Sequence, residues 1–289
     1  MNFQKFKLLV SMPITYTPLR YPGGKTQITP LVIDISRANN LNKGIYAEPF
    51  AGGAGVAWRL LLNGEMSEVW INDIDSGVHA FWFNVVNRPD ELCELILKAK
   101  LNIKSWEKQR SVFANPNSSS LDLAYATLFL NRTNRSGILK GGVIGGKEQS
   151  GAYQMDCRFN NKDLVEKIQR IHLYKDVIQV SRIDAKECLM KWATYLPRRA
   201  LINIDPPYFN KGRGLYLNFY TKKDHEILSG VVKKIKVPWM MTYDDTPEIA
   251  HLYEELPVYR KSLNYFAQVK RKANELLILS PNLRMPEIF

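Results

Sequence analysis

Ala200-Leu201-Ile202-Asn203-Ile204-Asp205-Pro206-Pro207-Tyr208 sets an acid, two prolines and an aromatic directly after five residues that read as a buried central strand. Sheets of the α/β class build their sites at the carboxyl ends of such strands. Two consecutive prolines fix φ twice and remove two backbone donors, so the turn is stiff and offers carbonyl acceptors with no N–H of its own at Pro206 and Pro207. An isolated Asp-Pro-Pro also fits an ordinary capped turn, and its neighbours decide between the two.

Toward the N-terminus, residues 45–50 read as another strand. The close-set glycines of Ala47-Glu48-Pro49-Phe50-Ala51-Gly52-Gly53-Ala54-Gly55 follow, then a helix over 56–62 closed by Asn63-Gly64. Residues 69–71 form the next expected strand, ending in Asn72-Asp73, and a helix through 81–86 stops near Pro89. Asp73 stands about twenty residues beyond the glycines, the spacing at which a carboxylate accepts hydrogen bonds from ribose hydroxyls. That combination fits a nucleoside cofactor, NAD as well as S-adenosylmethionine. Toward the C-terminus, strands are expected at 177–180, 239–242 and 275–279, with a helix over 224–235 that Thr221 and Asp224 cap. Alternation of this kind predicts an α/β domain with a largely parallel sheet.

The stretch from 89 to 161 has a different texture. Helices are expected over 91–101 and 121–131, separated by the loop sequence Asn115-Pro116-Asn117-Ser118-Ser119-Ser120. Arg132, Arg135 and Lys140 then lead into Gly141-Gly142-Val143-Ile144-Gly145-Gly146, which lacks strand-like alternation. It reads as an insertion, dividing the chain into a discontinuous core of 1–88 plus 162–289 and an inserted 89–161.

Forty Lys plus Arg against 28 Asp plus Glu give a net charge of +12, which favours a polyanionic partner. Cys93, Cys157 and Cys188 form no CxxC pair, the apolar run Leu8-Leu9-Val10 is too short for a secretory signal, and no longer run suits a membrane span. A cytoplasmic protein, with no membrane association, is expected.

A conjugated exocyclic amine is a poor nucleophile because its lone pair is delocalised into the ring. Two acceptors that hold its two hydrogens shift the nitrogen toward sp³ and release that pair for attack on a methyl group. Asp205 and the Pro206 carbonyl are candidate acceptors. Tyr208 is a candidate stacking surface for a base drawn out of a duplex.

Four motifs in this order resemble the Dam-type, α-group (D12 class) N6-adenine DNA methyltransferases. They are Arg20-Tyr21-Pro22-Gly23-Gly24-Lys25, Glu48-Pro49-Phe50-Ala51-Gly52-Gly53-Ala54-Gly55, Asn72-Asp73-Ile74-Asp75 and Asp205-Pro206-Pro207-Tyr208. The resemblance extends to Asn131-Arg132, Phe219-Tyr220 and His225. It implies a Rossmann-like S-adenosylmethionine-dependent methyltransferase fold with an inserted, mainly helical target-recognition domain. It further implies that Tyr21 and Lys25 help hold S-adenosylmethionine, that Glu48, Phe50 and Gly52 lie along its methionine side, that Asp73 takes the ribose and that Asp184 contacts the adenine. A single acid after a strand is as often a helix cap as a ligand. Double-stranded DNA is the implied substrate, a cognate restriction endonuclease a candidate partner, and a bacterial or phage-infected cell the setting. Arg132, Arg135, Lys140 and Lys147 become candidates for phosphate or base contacts, and Asn134 a candidate base reader. Phe209-Asn210-Lys211-Gly212-Arg213-Gly214 departs from the Dam pattern, so a GATC target is not implied.

Competing chemistries fit less well. Gly24-Lys25-Thr26 lacks the earlier P-loop glycine, Leu19 standing in its place, and in Gly141 to Lys147 the next residue is Glu148 where a Ser or Thr would hold magnesium. None of the cysteines follows a proline, as a cytosine-C5 enzyme would need, and the four histidines show no metal-ligand spacing. RNA and protein-glutamine methyltransferases usually carry Asn where Asp205 stands. Cytosine-N4 transfer uses the same amine chemistry and stays open as an alternative. So does a catalytically silent DNA-binding specificity module, against which the intact acid and prolines argue.

Overall fold

The computed structural model describes residues 15–20, 25–209, 220–266 and 270–286, with the backbone alone for 261–266 and 270–273. Among these, seven strands form one sheet in the order β3-β2-β1-β4-β5-β7-β6. They are β1 (Ile45–Glu48), β2 (Glu68–Asn72), β3 (Ile178–Ser181), β4 (Ala200–Ile204), β5 (Trp239–Asp244), β6 (Val258–Phe266) and β7 (Lys270–Leu279). β1 to β5 pair in parallel, and β7 runs antiparallel between β5 and β6. This is the Rossmann-like α/β fold, with β4 central and all five of its residues buried. The strand order reverses beside β1, so the ends of β1 and β4 flank the crevice where such sheets hold ligands.

The helices are α1 (Thr29–Ala38), α2 (Gly55–Leu62), α3 (Ser76–Asn87), α4 (Pro89–Leu97), α5 (Ile103–Ala114), α6 (Ser120–Thr133), α7 (Asn161–His172), α8 (Ala185–Tyr195), α9 (Lys222–Val232) and α10 (Pro247–Leu252). Alternation along the strands sorts them into two layers. Tyr46, Val69, Ile71, Leu201 and Met240 pack with the buried faces of α1 to α7. Ala47, Ile202, Ile204, Trp239 and Met241 pack with α8, α9 and α10. Fully burying one such side chain stabilises the fold by about 1.5–3 kcal/mol.

Local chemistry sets the helix ends. Asp75 accepts from the Val78 amide to start α3, and Pro89 occupies the first turn of α4, where its missing donor costs nothing. The helix expected over 91–101 runs from Pro89 to Leu97 and stops four residues early, and Asn102 caps a further helix, α5, that was not expected. Thr221 and Asp224 form the expected reciprocal box at α9.

Residues 89–161 contain α4, α5 and α6, and no strand beyond the single bridge Asn134–Val143 among the described residues. Leu128, Phe129 and Leu130 of α6 and Trp106 of α5 belong to the same hydrophobic cluster as the sheet. The helical part of the insertion therefore completes the core, and the glycine-rich stretch after α6 lies at its margin. No helix of the described residues is long and apolar enough to cross a membrane.

Candidate active site

Asp205 follows the last residue of β4 and is partly exposed, with 27% of its side chain reachable by solvent, while Pro206, Pro207 and Tyr208 are buried. Two residues from separate parts of the chain hold its Oδ1. Lys25 Nζ lies at 3.2 Å, and Thr242 Oγ1 on β5 donates at 3.2 Å. Lys25 makes a shorter contact of 2.7 Å to Glu275 Oε2 on β7, and Tyr208 OH donates to Glu275 Oε1. The ammonium also sits 4.9 Å from the Tyr208 ring centroid. Burial pushes both carboxyls, Asp205 and Glu275, above the ordinary carboxylate range, and the Lys25 charge pulls both back down. Beyond the turn, the Phe209 amide donates to Asp244 Oδ1 at 2.9 Å, which fastens the end of the motif to β5.

The glycine motif forms the neighbouring wall. Gly52 has φ +47° and Ala54 φ +46°, left-handed conformations that let the chain double back between β1 and α2. Three side chains fix this loop. Gly52 N donates to Asp73 Oδ2 at 2.8 Å, Trp82 Nε1 of α3 donates to Gly52 O at 2.8 Å, and Thr17 Oγ1 donates to Gly53 O at 2.6 Å. Asn72 binds the Pro49 and Ile183 carbonyls through Nδ2 and the Ser181 hydroxyl and Ile183 amide through Oδ1, joining the ends of three strands. Phe50 meets Tyr220 edge-on with ring centroids 5.9 Å apart. Asp184 caps α8, its Oδ1 accepting from the Lys186 amide at 2.9 Å. Tyr21 lies outside the described residues.

Glu48 is 6% exposed and accepts from Tyr46 OH at 2.9 Å, and Asn203 Nδ2 donates to that same hydroxyl at 2.8 Å. Burial pushes the Glu48 carboxyl up to about 8 and that of Asp73 up to about 7. Asn203 Oδ1 is buried without a hydrogen-bond partner among the described residues. Two carboxyls seeking donors or positive charge, on either side of a left-handed glycine turn, fit a nucleoside that carries an amine and a diol.

The raised Glu48 value has a thermodynamic consequence. An unfolded glutamate ionises near 4.5 and the folded one near 8, so its stabilising contribution is complete below the lower value and is lost as pH rises through the upper one. The cofactor-free protein is therefore expected to lose up to about 1.4 kcal/mol per pH unit across that window. Thermal unfolding of the wild type and of Glu48→Gln at several pH values tests this, and the variant should show the flatter profile.

Of the basic residues assigned to DNA, Arg135, Lys140 and Lys147 are exposed, and Lys147 pairs with Glu107 at 3.2 Å. Arg132 and Asn134 are placed differently from the expectation. Arg132 is 9% exposed, and its Nε donates to Pro18 O at 2.7 Å. Asn134 is fully buried; Trp106 Nε1 donates to its Oδ1, and its Nδ2 donates to the Ile138 and Leu139 carbonyls. Burying an amide requires all of these bonds, so Asn134 shapes the insertion from inside and is withdrawn from base reading. Asn131 likewise turns inward. Its Oδ1 accepts from Arg20 N at 2.7 Å and its Nδ2 donates to Arg20 O at 2.8 Å and to Gly137 O at 3.0 Å.

Residues absent from the sequence-based site are Glu275, Thr242, Tyr46 and Asn203. Glu275 carried one signal, an acid at the head of the apolar run Leu276-Leu277-Ile278-Leu279. The others are ordinary strand residues that only the sheet register brings into place.

No curated protein matches the chain. Among solved structures it is similar to a presumed RNA methyltransferase from Pyrococcus horikoshii, at 10% identity and a TM-score of 0.41, over 93% of this chain and 90% of that one. It is also similar to the rRNA methyltransferase AviRa from Streptomyces viridochromogenes, at 13% identity and a TM-score of 0.38, over 91% and 87% of the two chains. The sequence model of the D12 class N6 adenine-specific DNA methyltransferases matches residues 21–269, a span that contains the second, third and fourth motifs and all of the first but Arg20. With that match over most of its length, the chain belongs to the D12 class N6 adenine-specific DNA methyltransferase family.

Proposed function

We propose that this protein transfers a methyl group from S-adenosylmethionine to the N6 amine of an adenine flipped out of double-stranded DNA, acting in the cytoplasm. The observation that carries the reading is the partly exposed Asp205 carboxylate at the end of the central strand, beside a Pro-Pro turn whose residues have no N–H to compete for an amine. Asp205 accepts one amine hydrogen and the Pro206 carbonyl the other, which localises the nitrogen lone pair. Burial raises the proton affinity of Asp205, which suits it to receive the proton that the methylated nitrogen sheds. Tyr208 offers its ring to the base while its hydroxyl is anchored on Glu275. When bound, S-adenosylmethionine supplies an electrophilic methyl on a sulfonium. Glu48 would face its ammonium, Phe50 and Gly52 would line the methionine side, Asp73 would take the ribose hydroxyls, and Asp184 would serve the adenine end.

Arg135 and Lys140, exposed just beyond α6, are assigned to the duplex. Arg20, Arg132 and Arg158 add positive potential where the N-terminal segment meets the insertion, and burial first, with their mutual repulsion second, lowers the pKa values of Arg20 and Arg132. A restriction endonuclease reading the same site is the protein partner such an activity would serve.

Sequencing that detects modified bases in DNA from cells expressing the chain tests the reaction. N6-methyladenine at a recurring site is expected, whereas N4-methylcytosine, or methylation confined to RNA, would overturn the reading. Duplex binding followed by anisotropy across a salt series tests the interface. Arg135→Ala and Lys140→Ala should each lower the slope of log affinity against log salt by about 1. Unchanged slopes in both variants would remove this part of the insertion from the DNA.

A further inference from the structure

Glu275 is buried at 2% exposure on β7 between β5 and β6, opposite Asp244 at the end of the β5 pairing on one side and Lys261 on the other. Its backbone is thereby fixed from both flanks. Each of its oxygens serves a different part of the DPPY site, Oε2 the Lys25 ammonium at 2.7 Å and Oε1 the Tyr208 hydroxyl. Lys25 stands between two carboxylates and is nearer to Glu275 than to Asp205, 2.7 Å against 3.2 Å.

That asymmetry matters for the amine chemistry. An ammonium drawn fully onto Asp205 would occupy lone pairs that an amine hydrogen needs, and would weaken the carboxylate as an acceptor. With Glu275 as the closer anion, Lys25 keeps its charge near Asp205 without capturing it. The same glutamate holds the Tyr208 hydroxyl, so the stacking ring and the cation are set by one buried group on a strand remote in sequence from both.

We propose that Glu275 is a positioning residue for methyl transfer, holding Lys25 off Asp205 and fixing the Tyr208 ring. This rests on Asp205 being the acceptor of the amine hydrogen. It predicts a specific fault in Glu275→Gln, which keeps the volume but removes the charge: Lys25 collapses onto Asp205.

Single-turnover methylation of a duplex at saturating cofactor reads the effect. Glu275→Gln should lower the transfer rate about 10- to 100-fold, the range expected for a misplaced catalytic contact, with little change in cofactor affinity. The acid limb of its pH–rate profile should move to lower pH, because Asp205 becomes the only counter-ion of Lys25 among the described residues. Adding Lys25→Gln to that variant should restore the rate about fivefold or more, a rescue that a purely structural role of Glu275 does not provide. Full activity in Glu275→Gln overturns the proposal. So does a rate loss that Lys25→Gln only deepens, with the acid limb unmoved. If Glu275→Gln does not fold, Glu275→Asp carries the test. It retains the charge but is one methylene too short to reach both groups, so it should be slower than wild type with a smaller shift of the limb, and an unaltered rate overturns the proposal. Asp205→Asn in the same assay separates the two levels. If that variant stays active, the amine-acceptor reading fails. If it is inactive while Glu275→Gln is fully active, only the role of Glu275 fails.

Discussion

Asp205→Asn is expected to slow methyl transfer on the order of 10²- to 10³-fold while leaving cofactor binding close to wild type. Asparagine preserves the shape of the side chain, but it replaces one acceptor oxygen with a donor that opposes the amine hydrogen, and it cannot take up the proton released from nitrogen. Lys25 retains its closer partner, Glu275, so the interior is not left with an unpaired charge. The assigned cofactor carboxylates, Glu48 and Asp73, lie at the ends of β1 and β2, and neither touches Asp205 by a hydrogen bond or ion pair among the described residues. Calorimetric titration with S-adenosylmethionine, paired with single-turnover methylation of duplex DNA, separates the two functions. Retention of most of the transfer rate would sink the assignment of Asp205, and loss of cofactor binding in step with activity would place this acid in the wrong half of the site.

Gly137→Ala should destabilise the protein by about 4 kcal/mol, although the residue contacts no assigned catalytic group. Its φ of +75° costs a side-chain-bearing residue about 1–2 kcal/mol. An added Cβ would stand 2.1 Å from the Arg20 carbonyl oxygen, a backbone atom with little room to yield. That oxygen accepts from Asn131 Nδ2, which also donates to the Gly137 carbonyl, so displacement strands polar groups at about 1–3 kcal/mol apiece. Urea unfolding measures the loss directly. A variant within about 1 kcal/mol of wild type would show that the junction between residue 20 and the insertion yields easily.

The strands flanking β4 were legible because burial and turn chemistry are both written locally, whereas their order in the sheet was not. Apolar runs end in a glycine turn after β1 and in acids after β2 and β4, and the structure joins Gly52 to Asp73 and Lys25 to Asp205. What escaped was set by register. Glu275 meets Lys25 across 250 positions of sequence, and Thr242 reaches Asp205 because β5 lies beside β4. Helices α5 and α8 went unread because polar residues interrupt their apolar faces and tertiary packing supplies most of the stability of such helices, whereas α7 carries a regular apolar face in Leu164, Ile168 and Ile171 that the sequence does show. Asn134 misled for the opposite reason. An asparagine among arginines after a helix looks like a surface reader, yet this one replaces lost water with three internal hydrogen bonds.

On the proposed assignment of residues 89–161 to target recognition, α6 limits how the target can change. Its apolar face completes the layer over the sheet, and Asn131 and Arg132 at its end grip the backbone at Arg20 and Pro18. A chimera that exchanged residues 89–161 wholesale for a relative's would tear out part of the core and release the segment leading to Lys25. On that assignment, drift in specificity is expected in the short exposed stretch after α6, and the graft boundary that respects the fold lies inside residues 89–161.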